Sequence, residues 1–249
     1  MKYIIASTLT FFLIHFQTNG QELANKWRDL ASNIEGFQEI DKTKFDNWDF
    51  GAILSNQSQI NPLSTYVGVF GPKYRRIDFH LIASKNETIY EVTGKSKLGN
   101  NIQNLNGEFK LLKTYYRKQD YIADTLYIGI FSCKLREPGK KDGDGEFGGI
   151  FSVVYYRVNN QIQIFKTSSG DEPTFTNTFV GNWKRYNSDV ERTVIFSFHP
   201  AGLYERLPYC EPLYSIKEMN DDYTIIKEEF AQYGWEDFNY KGQKSNWWK

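Results

Sequence analysis

Arg75-Arg76-Ile77-Asp78-Phe79-His80-Leu81-Ile82-Ala83-Ser84 alternates, with Ile77, Phe79 and Leu81 on one side of an extended chain and Arg76, Asp78 and His80 on the other. One apolar and one wet face is the mark of antiparallel sheet. Working outward, Lys85-Asn86-Glu87 makes a turn and residues 89–95 return; Gly99-Asn100-Asn101 turns again, and residues 105–115 carry Gly107, Phe109 and Leu111 on one face. After Lys118-Gln119-Asp120 come 125–135, the Pro-Gly-rich loop 138–145, and 146–158. Asn159-Asn160 is a tight-hairpin signal, because Asn tolerates positive φ, and it leads into 161–166. A polar break at 167–173 precedes 179–186, and Asn187-Ser188-Asp189 turns into 190–198. With the run that starts near Ser64, this gives nine strands. The expectation is an all-β fold, an antiparallel up-and-down meander of about nine strands closing into a barrel, since closure removes the exposed edges of an open sheet.

Four of these runs place a glycine between two aromatics: Tyr66-Val67-Gly68-Val69-Phe70, Tyr127-Ile128-Gly129-Ile130-Phe131, Phe147-Gly148-Gly149-Ile150-Phe151 and Phe179-Val180-Gly181-Asn182-Trp183. Glycine weakens a strand interior, so its recurrence beside same-face rings marks places where the sheet bends sharply.

The chain opens with Lys2, an apolar run over 4–16, and Thr18-Asn19-Gly20 with small residues at −3 and −1 before Gln21, which reads as a secretory signal peptide over 1–20. The run is too short to span a bilayer. A secreted or periplasmic home follows. Residues 21–62 are expected to form a short helix and an irregular N-terminal segment: Leu23, Trp27, Leu30 and Ile34 make one helical stripe that Gly36 terminates, while 37–62 keep no period. The helix should lie against the barrel as a lid or plug. Residues 63–249 form a single barrel domain with a C-terminal extension, in which residues 224–230 read as strand or as one helical turn. With 30 basic and 30 acidic residues, the chain has no excess charge for nucleic acid. No other stretch is long enough to make it an integral membrane protein. Asn56-Gln57-Ser58 and Asn86-Glu87-Thr88 match the N-glycosylation sequon.

Gly181-Asn182-Trp183 on a strand resembles the Gly-x-Trp signature of the calycin barrels, the lipocalins and avidins. That resemblance implies a closed barrel with Trp183 packed across one end. The wider pattern of leader, Tyr-Val-Gly, Phe-Gly-Gly-x-Phe and Gly-x-Trp is also similar to uncharacterised secreted proteins of Bacteroidota, and it implies no particular function.

Cys133 and Cys210 are either one disulfide or two free thiols; an oxidising compartment favours the bridge, worth ~2 to 4 kcal/mol in the chain-entropy model. Lys140-Lys141-Asp142-Gly143-Asp144-Gly145-Glu146 has carboxylates at alternate positions like the start of a calcium loop, but Phe147 and Val153 stand where such a loop needs Gly and Glu, so a solvated hairpin is expected and no metal. No metal or serine-hydrolase motif includes His80 or His199, and no cofactor is implied. Glu191 with Asp78 would serve glycoside hydrolysis only if they faced each other about 5 to 9 Å apart.

The aromatics offer another chemistry. Tyr66, Tyr90, Phe109, Tyr127, Tyr155 and Trp183 would supply stacking faces if they line a cavity, and a buried Tyr hydroxyl needs a partner. Arg192 shares a strand face with Val190, Val194, Phe196 and Phe198, so it is expected to meet a buried carboxylate or mark a polar spot in a pocket. These residues make a barrel that binds a small apolar or glycan-like molecule the leading expectation. A cell-envelope interaction module with a filled barrel is the alternative, and a hydrolase at the barrel mouth a third. A void lined by Tyr and Trp would favour the first, a filled interior the second.

Overall fold

The structure, a computed structural model, describes residues 20–55, 65–118, 125–158, 161–164, 177–198, 207–217, 223–238 and 246–249. The leader at 1–19, the sequon at Asn56, the turn residues 119–120 and 159–160, the break at 167–173, and His199 lie outside them.

All nine expected strands form. A helix α1 (Gly20–Ser32), a short strand β1 (Gln38–Ile40), a 3₁₀ turn (Lys42–Phe45) and a one-turn helix α2 (Gly51–Leu54) precede β2 (Tyr66–Phe70), β3 (Arg75–Asn86), β4 (Ile89–Leu98), β5 (Asn101–Lys118), β6 (Thr125–Arg136), β7 (Gly145–Val158), β8 (Gln161–Ile164), β9 (Thr178–Arg185) and β10 (Glu191–Ser197). Eight of the nine close into a ring in the order β2-β3-β4-β5-β6-β7-β9-β10, and β10 returns to pair with β2. Every pairing is antiparallel. The ninth, β8, pairs β7 beyond the end of β9, and β1 likewise pairs β5 beyond the end of β4. At that end β1-β5-β6-β7-β8 therefore extends past the ring as a five-stranded canopy.

Two of these glycines lie where neighbouring strands approach closely. Gly68 and Gly181 face inward, and a Cβ on Gly68 would lie 1.9 Å from the Ile195 carbonyl oxygen, one on Gly181 2.2 Å from that of Gly148. Only a residue without a side chain lets neighbouring backbones close in this way. The interior beside them holds packed rings. Phe79 packs on Phe196 at 4.2 Å and on Phe147 at 5.2 Å between centroids, and Phe179 stacks on Phe196 at 4.6 Å. These rings, with Tyr66, Phe109, Phe131, Phe151 and Tyr155, are fully buried in the barrel interior.

A second apolar layer lies outside the wall. Leu23, Ala24, Trp27 and Ala31 of α1 pack on Ile150, Val180 and Ile195, and the Trp27 indole N–H donates to the Ser152 hydroxyl at 3.0 Å. The buried stripe is thus rotated from the expected one: Ala24 and Ala31 face the wall, and Leu30 is 43% exposed. Leu23 and Trp27 keep their expected place on the wall, and Ala24 and Ala31 fill the rest of the buried face. Further along, a 3₁₀ turn (Pro208–Leu213), the hairpin β11 (Tyr214–Lys217) and β12 (Tyr223–Ile226), and a second 3₁₀ turn (Glu228–Tyr233) cover the same layer. The expected ambiguity at 224–230 resolves as strand followed by helix. The described part of the tail packs back on β3, with Trp248 stacked on His80 at 4.5 Å and the Trp235 indole N–H donating to the Tyr74 carbonyl at 2.7 Å. Among the described residues no helix is long and apolar enough to cross a membrane.

The disulfide expectation is corrected. Both cysteines are free and buried, but Cys133 belongs to the interior cluster and Cys210 to the outer layer. The barrel wall separates them, and a bridge requires Cα atoms within about 7 Å.

Candidate functional site at the plugged mouth

The canopy end of the barrel is closed by residues 42–54, not by α1. Phe45, Phe50, Ile53 and Leu54 enter the interior cluster. The expected site tyrosines hold this plug. The Tyr90 hydroxyl donates to the Trp48 carbonyl at 2.9 Å and accepts from the Phe50 N–H at 3.2 Å; the Tyr66 hydroxyl donates to the Leu54 carbonyl at 2.9 Å. The Asn177 amide bonds both the Ile53 carbonyl and the Tyr66 hydroxyl. Burial raises the Tyr90 hydroxyl to about 12 and pushes Tyr66 up as well, so both remain donors near neutral pH. Their partners are backbone groups of the plug.

Above the plug, one row of side chains crosses the whole canopy. Gln38 on β1 stands opposite Tyr116 on β5, Tyr116 opposite Tyr127 on β6, Tyr127 opposite Tyr155 on β7, and Tyr155 opposite Ile164 on β8. Tyr127 stacks on Tyr155 at 5.3 Å with 14° between the planes, and the Tyr116 hydroxyl donates to the Gln38 side-chain oxygen at 3.2 Å. Tyr155 is sealed beneath. Burial pushes its hydroxyl up despite the neighbouring Thr114 hydroxyl, and neither group has a well-formed hydrogen bond among the described residues. Trp48 meets Tyr127 edge to face at 5.6 Å, and the exposed Arg157 lays its guanidinium over the Trp48 ring, Cζ 4.6 Å from the centroid. Trp48, Tyr116 and Tyr127 are each half-buried. Aromatic surface is left open here, flanked by a Gln amide and an Arg guanidinium.

The other candidate residues lie elsewhere. Phe109 is core, 4.9 Å from Phe151. Trp183 is at the far end, against Phe70, and its indole N–H donates to the Glu137 carboxylate at 3.0 Å, which also accepts from the Gly145 N–H at 2.6 Å. Arg192 pairs across from Trp183, so it stands at the rim where the apolar face of β10 ends; it is exposed, and its guanidinium donates to the Glu191 carbonyl. In the 138–145 loop, the Asp144 carboxylate accepts from the Lys140 and Lys141 N–H groups and from the Gln103 amide. Its oxygens hold the turn together. Among the described residues no three His, Cys, Asp or Glu side chains gather as a metal site.

Asp78 and Glu191 do not converge. Asp78 stands opposite Val67 and, one strand on, Ser197, while Glu191 is six residues along β10 from Ser197, about 20 Å at the rise of a strand. Asp78 lies outside the barrel, bound to Arg76 at 3.0 Å, and Arg76 also reaches Asp237 of the tail at 2.7 Å.

No protein-family model, curated protein or solved structure matches this chain.

Proposed function

We propose that this is a secreted or periplasmic glycan-binding protein that holds a sugar ring at the plugged mouth of a filled barrel, not a container for a guest inside it. The carrying observation is the cluster of half-buried rings Trp48, Tyr116 and Tyr127, gathered on three different segments and flanked by Gln38. The carbon–hydrogen face of a pyranose ring is apolar and lies well on an aromatic plane, while its hydroxyls pair with amide and guanidinium groups; aromatic surface with a few convergent polar groups is the usual composition of such a site. The packing of Phe79, Phe147, Phe179 and Phe196 speaks against an apolar molecule within the barrel. The meander topology and the place of Trp183 at its far end are in keeping with a calycin relationship, which is part of the same proposal.

Binding of a set of soluble oligosaccharides, followed by Trp fluorescence and calorimetry, tests the reading. Binding that Tyr127→Ala weakens supports it. The same packed interior also favours a second reading, an envelope module that binds no small molecule, and that reading gains if no sugar binds while the protein captures a defined envelope component.

A further inference from the structure

Arg157 carries more information than a neutral sugar would need. Its guanidinium lies over Trp48, 4.6 Å from the ring centroid, on an exposed side chain at the edge of the Tyr127 row. A guanidinium held by its carbon over an aromatic ring still has N–H groups to offer, and a guanidinium can meet a carboxylate with two parallel hydrogen bonds. Arg157 has no ion-pair partner among the described residues.

Of the four acidic groups between residues 39 and 49, Asp46 is exposed and forms no ion pair with Arg157, and the other three have engagements of their own. Glu39 pairs with Lys113 at 2.8 Å, Asp41 accepts from the Thr43 N–H at 3.0 Å, and Asp49 accepts from the Gly51 N–H at 2.8 Å. Arg76 at the tail and Arg136 at the far end each sit on a carboxylate. Arg157, by contrast, is exposed and rests on an aromatic ring.

We propose that the sugar bound at this mouth is acidic, a uronic acid residue whose carboxylate docks on Arg157 above Trp48 while its ring lies against Tyr116 and Tyr127. This rests on the glycan reading above. It narrows the substrate class to polyuronates and other carboxylate-bearing glycans, and it makes binding sensitive to salt, because an exposed charge pair is screened within about 10 Å at 0.1 M ionic strength.

The test is calorimetric titration of the full chain with two oligosaccharides of equal length and linkage, one a uronate oligomer and one its neutral counterpart, at 20 mM and 500 mM NaCl. A charge-assisted pair predicts that the uronate binds about tenfold or more tightly at low salt, that the advantage shrinks at high salt, and that Arg157→Gln erases it. Arg157→Lys, which keeps the charge and loses the fork, should retain only part. Thermal melts of both variants check that they fold. Equal affinity for the two sugars, or an advantage that survives Arg157→Gln, overturns the acidic-sugar proposal while leaving the glycan site standing. If neither sugar binds, both fall.

Discussion

The hydroxyl of Tyr90 donates to the carbonyl of Trp48 and also accepts the N–H of Phe50, so one side chain from the barrel wall fixes the backbone of the plug on both sides of Asp49. Tyr66 does the same work at Leu54. The rings that the sequence offers as a ligand lining are instead the anchors of a segment of the chain itself.

Removing the Tyr90 hydroxyl should therefore loosen the plug without emptying the core. Tyr90→Phe is expected to cost about 1 to 3 kcal/mol, because it strands a buried donor and acceptor, and to speed hydrogen exchange at residues 48–54. Urea melts with exchange mass spectrometry check it. Unchanged exchange in that segment would show that the anchors lie elsewhere.

Paired glycine substitutions separate close approach from mere space. An added Cβ at Gly181 meets backbone at 2.2 Å, whereas one at Gly148 meets nothing within 4 Å. Gly181→Ala should destabilise by about 1 to 3 kcal/mol or prevent folding, and Gly148→Ala should be tolerated. Similar melting temperatures for the two would contradict the close approach of β7 and β9.

Both thiols should behave as buried and unlinked. Burial raises Cys210 to about 12 and pushes Cys133 well up, so neither is a thiolate at pH 7. Dithiothreitol is expected to leave the melting temperature unchanged, and both cysteines should alkylate only in denaturant. Because the unfolded thiols ionise near ~8.5 and the folded ones do not, stability is present below that pH and falls above it. A thiol that alkylates readily in the native protein would refute the burial.

The course of the nine strands is legible in the sequence because alternation and turn residues are local. Arg75–Asn86 shows both, and the aromatic–glycine–aromatic repeats give away close approaches between strands. The plug is not legible. Residues 42–54 carry no period, and Phe45, Trp48 and Phe50 acquire meaning only from the strands they meet across the mouth. Tyr127 and Tyr155 could be singled out from their strand runs, yet Gln38 and Trp48 could not, since β1 and the plug are too short to announce themselves, and Tyr116 and Arg157, though on long strands, gain their meaning only from those two partners. Arg192 misled for a similar reason: alternation tells which face a residue occupies, but not where along the strand the barrel ends.

Asp78 supplies a pH test of the tail's attachment. Burial raises its carboxyl above the ordinary value, outweighing the opposing pull of Arg76 and Lys97. A folded group with a raised value contributes stability that is complete below the unfolded value near ~3.9 and is lost as pH rises through the folded one. Asn has no such titration. The stability difference between Asp78→Asn and the parent should therefore shift in favour of the variant between pH 3 and pH 7, as read by denaturant melts. A flat difference, or a shift toward the parent, would mean that Arg76 dominates.

Binding at the mouth of a filled barrel is tested most directly by mapping amide and indole NMR shifts during titration with a uronate oligosaccharide. The expected result is that the Trp48 indole and the amides around Gln38, Tyr116, Tyr127 and Arg157 move, while the Trp183 indole and the amides of Phe79, Phe147 and Phe196 stay in place. Shifts concentrated on those interior strands, or at no residue at all, would contradict it.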